Sequence, residues 1–181
     1  IVPVRIFERR KYDEAPKSPE TTLDGLETRL ERDRQGVIAK NFPSTFSFNV
    51  EGQEFNGKIY VFNKYNADGK KVDPTKYGNG IPFIMNGQTN CNLGARFFWQ
   101  GQKLNYSNIG RNILVMLDCS NISYAHSELV FKPDRQNIIQ NQFTKEIKEE
   151  LTEVLASHQG LKDFQHEWKK QEITKTKDTS K

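Results

Sequence analysis

An α+β sandwich, a mostly antiparallel sheet of about four strands with helices on one face, is the fold that the sequence predicts. Two patterns predict it. Between residues 45 and 117, short apolar runs alternate with polar residues or are bounded by turn signals, the mark of half-buried and buried strands. From 138 onward apolar residues recur every three or four positions, the period of a helix lying on a core.

At the N-terminus Ile1, Val2, Val4, Ile6 and Phe7 suggest a short strand, and the charged, proline-punctuated run 8–19 reads as a linker or an edge. Leu23, Leu26 and Leu30 space out a short helix over 21–35, with Thr21 or Thr22 as its cap and Gly36 as its terminator. Phe46, Phe48 and Val50 form one strand and Phe55, Ile59, Tyr60, Val61 and Phe62 a second. The Glu51-Gly52-Gln53 turn makes the two a hairpin. Residues 66–80 form a long polar loop, of the kind that in compact domains often carries function.

A third strand is predicted over 81–86, followed by a turn through Gly87, Gln88, Thr89 and Asn90, and a helix over 93–98. Ile113 to Leu117 reads as a buried fourth strand, ending in Asp118-Cys119. A polar loop with Lys132 and Arg135 then leads to the long helix. On that helix Ile139, Phe143, Ile147, Leu151, Val154 and Leu155 make the apolar stripe, and Lys145, Glu146, Lys148, Glu149, Glu150 and Glu153 the wet face. Gly160 is expected as a left-handed cap closed by Leu161. The boundaries expected are therefore 1–44 for a linker with a short helix, 45–167 for the α+β domain, and 168–181 for a disordered basic tail.

With 181 residues the chain is long enough for one core. Its formal charge of +4 is compatible with a nucleic-acid partner, but composition alone favours a solvated surface with a slight excess of lysine. The two cysteines, Cys91 and Cys119, are too few for a disulfide framework and have no Cys or His at metal spacing, so a reduced, intracellular protein without a metal is expected. No apolar run approaches the ~18 residues of a membrane span. The first residue, Ile1 rather than Met, suggests a piece of a longer protein.

Chemistry has few places to reside. Cys119 as a nucleophile would need a base, yet His126, His158 and His166 have no spacing that supplies one, so a buried structural cysteine is expected. Asp118 reads as the cap of the turn at Ser120-Asn121. Neither of the glycine-rich phosphate-binding motifs is present, so the chain has no phosphate cradle of that kind. Lys132 and Arg135 remain, two cations just ahead of a helix. Arginine suits phosphate because its planar fork donates two hydrogen bonds, and lysine adds a compact charge. An ion pair of Arg135 with Asp134 or Glu128 is the plain alternative.

The order of elements, with Asn86-Gly87-Gln88-Thr89, Leu117-Asp118-Cys119-Ser120, the Lys132–Arg135 loop and the long helix, resembles the transducer domain that follows the nucleotide-binding domain in GHKL ATPases. That superfamily includes heat-shock chaperones, mismatch-repair proteins, type II topoisomerases and microrchidia proteins. The resemblance spans about 45–170 and is sharpest over 113–161. It implies a ribosomal-protein-like sandwich in which Lys132 and Arg135 sense the terminal phosphate of ATP, Arg135 as in the chaperones and Lys132 as in the microrchidia proteins. It also implies that Gln88 and Thr89 touch the nucleotide, although Asn90 stands where the mismatch-repair and topoisomerase branches carry a lysine.

ATP and magnesium would be held by an upstream nucleotide-binding domain of the same protein, possibly within a homodimer, and this chain alone would neither bind them nor hydrolyse ATP. The implied compartment is the cytoplasm, or the nucleus in a eukaryote, and the implied work ranges from chaperoning to DNA repair or phage defence. Two rivals stand beside this reading. One is a nucleic-acid module using the basic tail with Lys169, Lys170, Lys175, Lys177 and Lys181 and stacking bases on Phe97, Phe98 and Trp99, with weak, non-specific affinity. The other is an inert interaction domain.

Overall fold

The computed structural model describes residues 4–6, 21–23, 25–132 and 137–178. The strands are β1 (Val4–Ile6), β2 (Thr21–Leu23), β3 (Ser44–Val50), β4 (Gln53–Val61), β5 (Ile81–Met85), β6 (Gln88–Leu93) and β7 (Ile113–Asp118). The helices are α1 (Leu26–Arg32), α2 (Arg34–Val37), α3 (Phe97–Gln100), α4 (Tyr124–Val130), α5 (Gln142–Ser157) and α6 (Gln159–Asp178). β1 and β2 pair antiparallel, and the other five strands form one mixed sheet in the order β3-β4-β7-β5-β6. Only β5 and β7 run parallel. The α+β class expected from the sequence holds, with one strand more in the main sheet.

Two tight hairpins set the register. Glu51 and Gly52 have φ of 49° and 75°, and Asn86 and Gly87 have 51° and 77°, so both central residues of each turn are left-handed. Two-residue turns of that hand match the natural twist of the strands they join. Val50 therefore faces Gln53, and Met85 faces Gln88.

Residues directly opposite one another share a face of the sheet. Through the pairs Phe48–Phe55, Gly57–Leu117, Ile59–Val115 and Phe83–Leu117, one face collects most of the large apolar side chains. Phe55, Ile59, Phe83, Val115 and Leu117 have no exposed surface. α5 lies on this face, with the rings of Phe55 and Phe143 6.3 Å apart. Asn56, Lys58 and Met116 occupy the opposite face, where α1 adds buried Leu30 and an ion pair between Glu27 and Lys58.

Phe143, Ile147, Leu151 and Leu155 are buried as the helical period predicts. The helix starts later than expected because Asn141 and Thr144 close a reciprocal cap, Thr144 N donating to Asn141 Oδ1 at 2.8 Å and Asn141 N to Thr144 Oγ1 at 3.1 Å. Thr144 is buried and spends its own hydroxyl proton on the Ile139 carbonyl at 2.7 Å.

Several expectations need correction. Thr21 and Thr22 belong to a strand rather than to a cap, and α1 starts after Gly25. Residues 88–93 pair with β5 as an edge strand, so the helix beyond them shrinks to α3. Part of the polar loop after Cys119 is α4, capped by Ser123, whose oxygen accepts from His126 N. The chain remains helical through Trp168 to Asp178, where a disordered tail is predicted, because Trp168 is packed to 8% exposure against the body of the protein. Gly160 is not left-handed. It sits in the first turn of α6, where a Cβ would approach the His158 ring to 3.0 Å.

His158 forms the corner between α5 and α6. Its Nδ1 accepts from Leu161 N at 3.2 Å, which leaves the proton on Nε2 to be donated to Ser44 Oγ at 2.9 Å, and the ring stacks on Phe42. Burial lowers its pKa below the ordinary 6.5. The folded protein thus prefers the neutral ring, and this contribution to stability is full above pH 6.5 and shrinks as pH falls below it. Chemical denaturation across acidic pH should show that loss, with a shallower slope for His158→Asn. Leu151→Ala, which empties a fully buried site under α5, should cost about 2–5 kcal/mol by the same measurement.

Candidate functional site

Lys132 follows α4 directly and is exposed. The loop that it opens is clamped at its base. Phe131 and Ile138 form an antiparallel bridge, Ile139 N donates to the Val130 carbonyl at 2.9 Å, and Asn141 Nδ2 donates to the Leu129 carbonyl at 2.7 Å. Those bonds tie the end of α4 to the start of α5. Arg135 lies outside the described residues, and Lys132 makes no ion pair with a described residue.

α4 is itself held to the β3–β4 turn. Gln53 Oε1 accepts from Ser123 N at 2.8 Å, and the His126 ring lies 4.9 Å from that of Phe143. His126 Nδ1 is 2.7 Å from Ser123 Oγ, and its Nε2 is 3.7 Å from Glu51. Phe131 and Ile138, at the base of the loop, therefore stand near the carboxyl ends of β3, β5 and β7.

Gln88 and Thr89 are at that same end, exposed at the start of the edge strand β6. No described contact joins them to Lys132. Thr89 lines a depression on the sheet face opposite α5, of about 530 Å³, together with Asp118, Asn56, Lys58 and Met116. Asp118 is occupied as a turn cap, as predicted, since its Oδ1 accepts from Ser120 N at 2.9 Å and Ser120 Oγ at 2.5 Å. Ser120 Oγ in turn accepts from Asn86 N at 2.9 Å, tying the β5–β6 turn to the end of β7.

Neither cysteine is placed to act as a nucleophile. Cys119 is fully buried, and its thiol points back to the Leu117 carbonyl at 3.8 Å. Burial pushes its pKa far up, and pushes that of Cys91 up to about 11, so neither is a thiolate near neutrality. Among the described residues no group of three or more His, Cys, Asp or Glu side chains is placed to hold a metal ion. No described helix is long and apolar enough to cross a membrane.

A second concavity, of about 500 Å³, lies at the other end of the sheet. The long polar loop supplies one wall through Lys71, Asp73 and Thr75, and Arg111 with Asn108 and Asn112 supplies another. α6 closes it with Trp168 and Glu172. The loop is ordered by its own side chains. Asn66 Oδ1 accepts from Asp68 N and Lys70 N, Asp73 caps a short turn at Pro74–Lys76, and Tyr77 donates to Asp33 at 2.7 Å. Burial and the Asp33 carboxylate push the Tyr77 pKa up to about 12.

Sequence reasoning marked this loop but missed Arg111 and Trp168. Their only signal was residue type, because distant parts of the chain bring them to the loop. Of the aromatic residues expected to stack bases, one is buried and two are half-buried. Phe98 is fully buried, and Phe97 and Trp99 pack against the core. Comparison with known proteins gives no lead, since no family model, curated protein or solved structure matches this chain.

The cysteine geometry has a direct test. Native protein should react with a thiol reagent at neither cysteine on the timescale of mixing, and at both once denaturant is added.

Proposed function

We propose that this chain is the transducer domain of a GHKL-type ATPase, in which Lys132 and Arg135 sense the terminal phosphate of ATP and α5 relays nucleotide-driven closure to neighbouring domains. The observation that supports this reading best is the clamp on the Lys132 loop. A cation that stabilises a charge developing on another domain has to be aimed, and aiming requires that the backbone at its base be fixed. Here the base is fixed at both ends by hydrogen bonds to α4 and α5. Because α5 also covers the sheet, a pull on the loop acts on the packed face between helix and sheet.

In this reading ATP and magnesium sit in a separate nucleotide-binding domain, possibly within a homodimer, and Gln88 and Thr89 belong to the same interface. The protein works in the cytoplasm, or in the nucleus of a eukaryote. The chain contributes cations to hydrolysis and holds none of the nucleotide cradle itself.

The test is kinetic, made in the longer protein that carries both domains. A cation used chiefly in the transition state contributes little to ground-state binding. Arg135→Ala and Lys132→Ala should therefore lower kcat for ATP hydrolysis with much smaller change in KM. The loss should reach at least about tenfold for one of them, against the ~10³–10⁵ of a full arginine finger. Unchanged turnover in both variants removes the phosphate-sensing role.

A further inference from the structure

The concavity between the long loop, the turn before β7 and α6 has a charge pattern unlike the rest of the protein. Residues 64–79, 108–112 and 168–172, the three segments that build it, contain seven cations against three carboxylates. That net +4 equals the formal charge of the whole chain, so the remaining residues sum to zero. Folding has gathered the excess around one opening.

The lining is divided between charges that are spent and charges that are not. Lys64 is 3.4 Å from Glu172 and lies over the Trp168 ring, whose Nε1 donates to the same Glu172 at 3.1 Å. Asp73 is engaged by Thr75 through its backbone N–H at 3.1 Å and its hydroxyl at 2.6 Å. Lys71 and Arg111 are exposed at the rim, and neither forms an ion pair or a side-chain hydrogen bond with a described residue. Lys70 and Lys76 extend the basic surface along the loop, and Lys169 extends it along α6.

We infer that this concavity binds the phosphate backbone of a nucleic acid, with Lys71 and Arg111 as its principal phosphate contacts. Three features select that ligand class. The opening, of about 500 Å³, has room for one unit of such a backbone, within the ~300–1,000 Å³ of small-ligand sites. The cations continue on both sides of it, beyond what a single small anion would neutralise, as a repeating polyanion requires. No free aromatic face is offered, since Trp168 is covered by Lys64, so recognition is of charge and not of sequence. The inference does not depend on the role proposed for Lys132 and Arg135.

Fluorescence anisotropy of a labelled oligothymidine with the 181-residue chain tests it, over a salt series and with the melting temperature of each variant recorded. Wild type should bind at low salt, and Lys71→Glu/Arg111→Glu should weaken binding at least tenfold without lowering the melting temperature. The milder Lys71→Ala/Arg111→Ala should reduce the slope of log affinity against log salt by about 1.4, at ~0.7 per phosphate on a single strand. A control of equal charge change, Lys40→Glu/Lys162→Glu, should retain most of the affinity. The inference is overturned if wild type does not bind at low salt, or if the control loses as much as the pocket variant. It is also overturned if inorganic pyrophosphate binds at the pocket while the oligonucleotide does not.

Discussion

Burial of one helix face against one sheet face is the interaction on which the rest of this structure depends. Phe143, Ile147, Leu151 and Leu155 are each 3% exposed or less, and the side chains beneath them on β4, β5 and β7 are as fully covered. A five-stranded sheet with a bare apolar face is not stable in water, and a solitary helix of this length is marginal. Each element is thus held in place by the other. The cap at Asn141 and Thr144 sets where the helix begins and the corner at His158 where it turns, so the helix is fixed at both ends as well as along its length.

That arrangement gives the molecule two poles. At the carboxyl ends of β3, β5 and β7 stand the clamped base of the Lys132 loop, the turn cap at Asp118 and the start of the edge strand. At the opposite end the long polar loop, Arg111 and α6 surround the basic concavity. α5 runs between the poles, with Phe143 beside Phe55 at one end and the Leu155 carbonyl accepting from Tyr106 at the other. A helix anchored at both poles couples them through rigid packing, because a close-packed core transmits displacement rather than absorbing it. For a domain proposed to relay nucleotide state, that is the property required.

The parts of the sequence that read correctly are those in which local chemistry and tertiary demand agree. Phe46, Phe48 and Val50 alternate, and they form a strand with one buried face. Glu51-Gly52 supplies two left-handed residues, and it makes the turn of the first hairpin. Ile147, Leu151 and Leu155 recur at helical spacing, and they are buried on one side. Reading went astray where the two levels differ. Gln88 to Leu93 is polar and looks like a turn, yet backbone pairing with β5 makes it a strand, since an edge strand needs hydrogen bonds more than apolar side chains. Residues 168–178 look too polar to fold, yet they are helical, and Trp168 anchors the helix through its contacts with Lys64 and Glu172. That Lys132 stands in a connection ahead of the long helix was legible. The clamp beneath it was not, because its partners are backbone groups that carry no mark in a sequence.

By itself, then, the sequence determined the fold class, the buried stripe of α5, the first hairpin and the burial of Cys119, all of which follow from short-range period, turn chemistry and burial of apolar side chains. Only the tertiary structure decided which strands are neighbours, that β7 lies between β4 and β5, and that Lys64, Lys71, Arg111 and Trp168 share one concavity. The reason is physical. Period and propensity act over a few residues along the chain, whereas a pocket is made where segments far apart in sequence are packed together, and the charge that they concentrate there appears only after folding has placed them side by side.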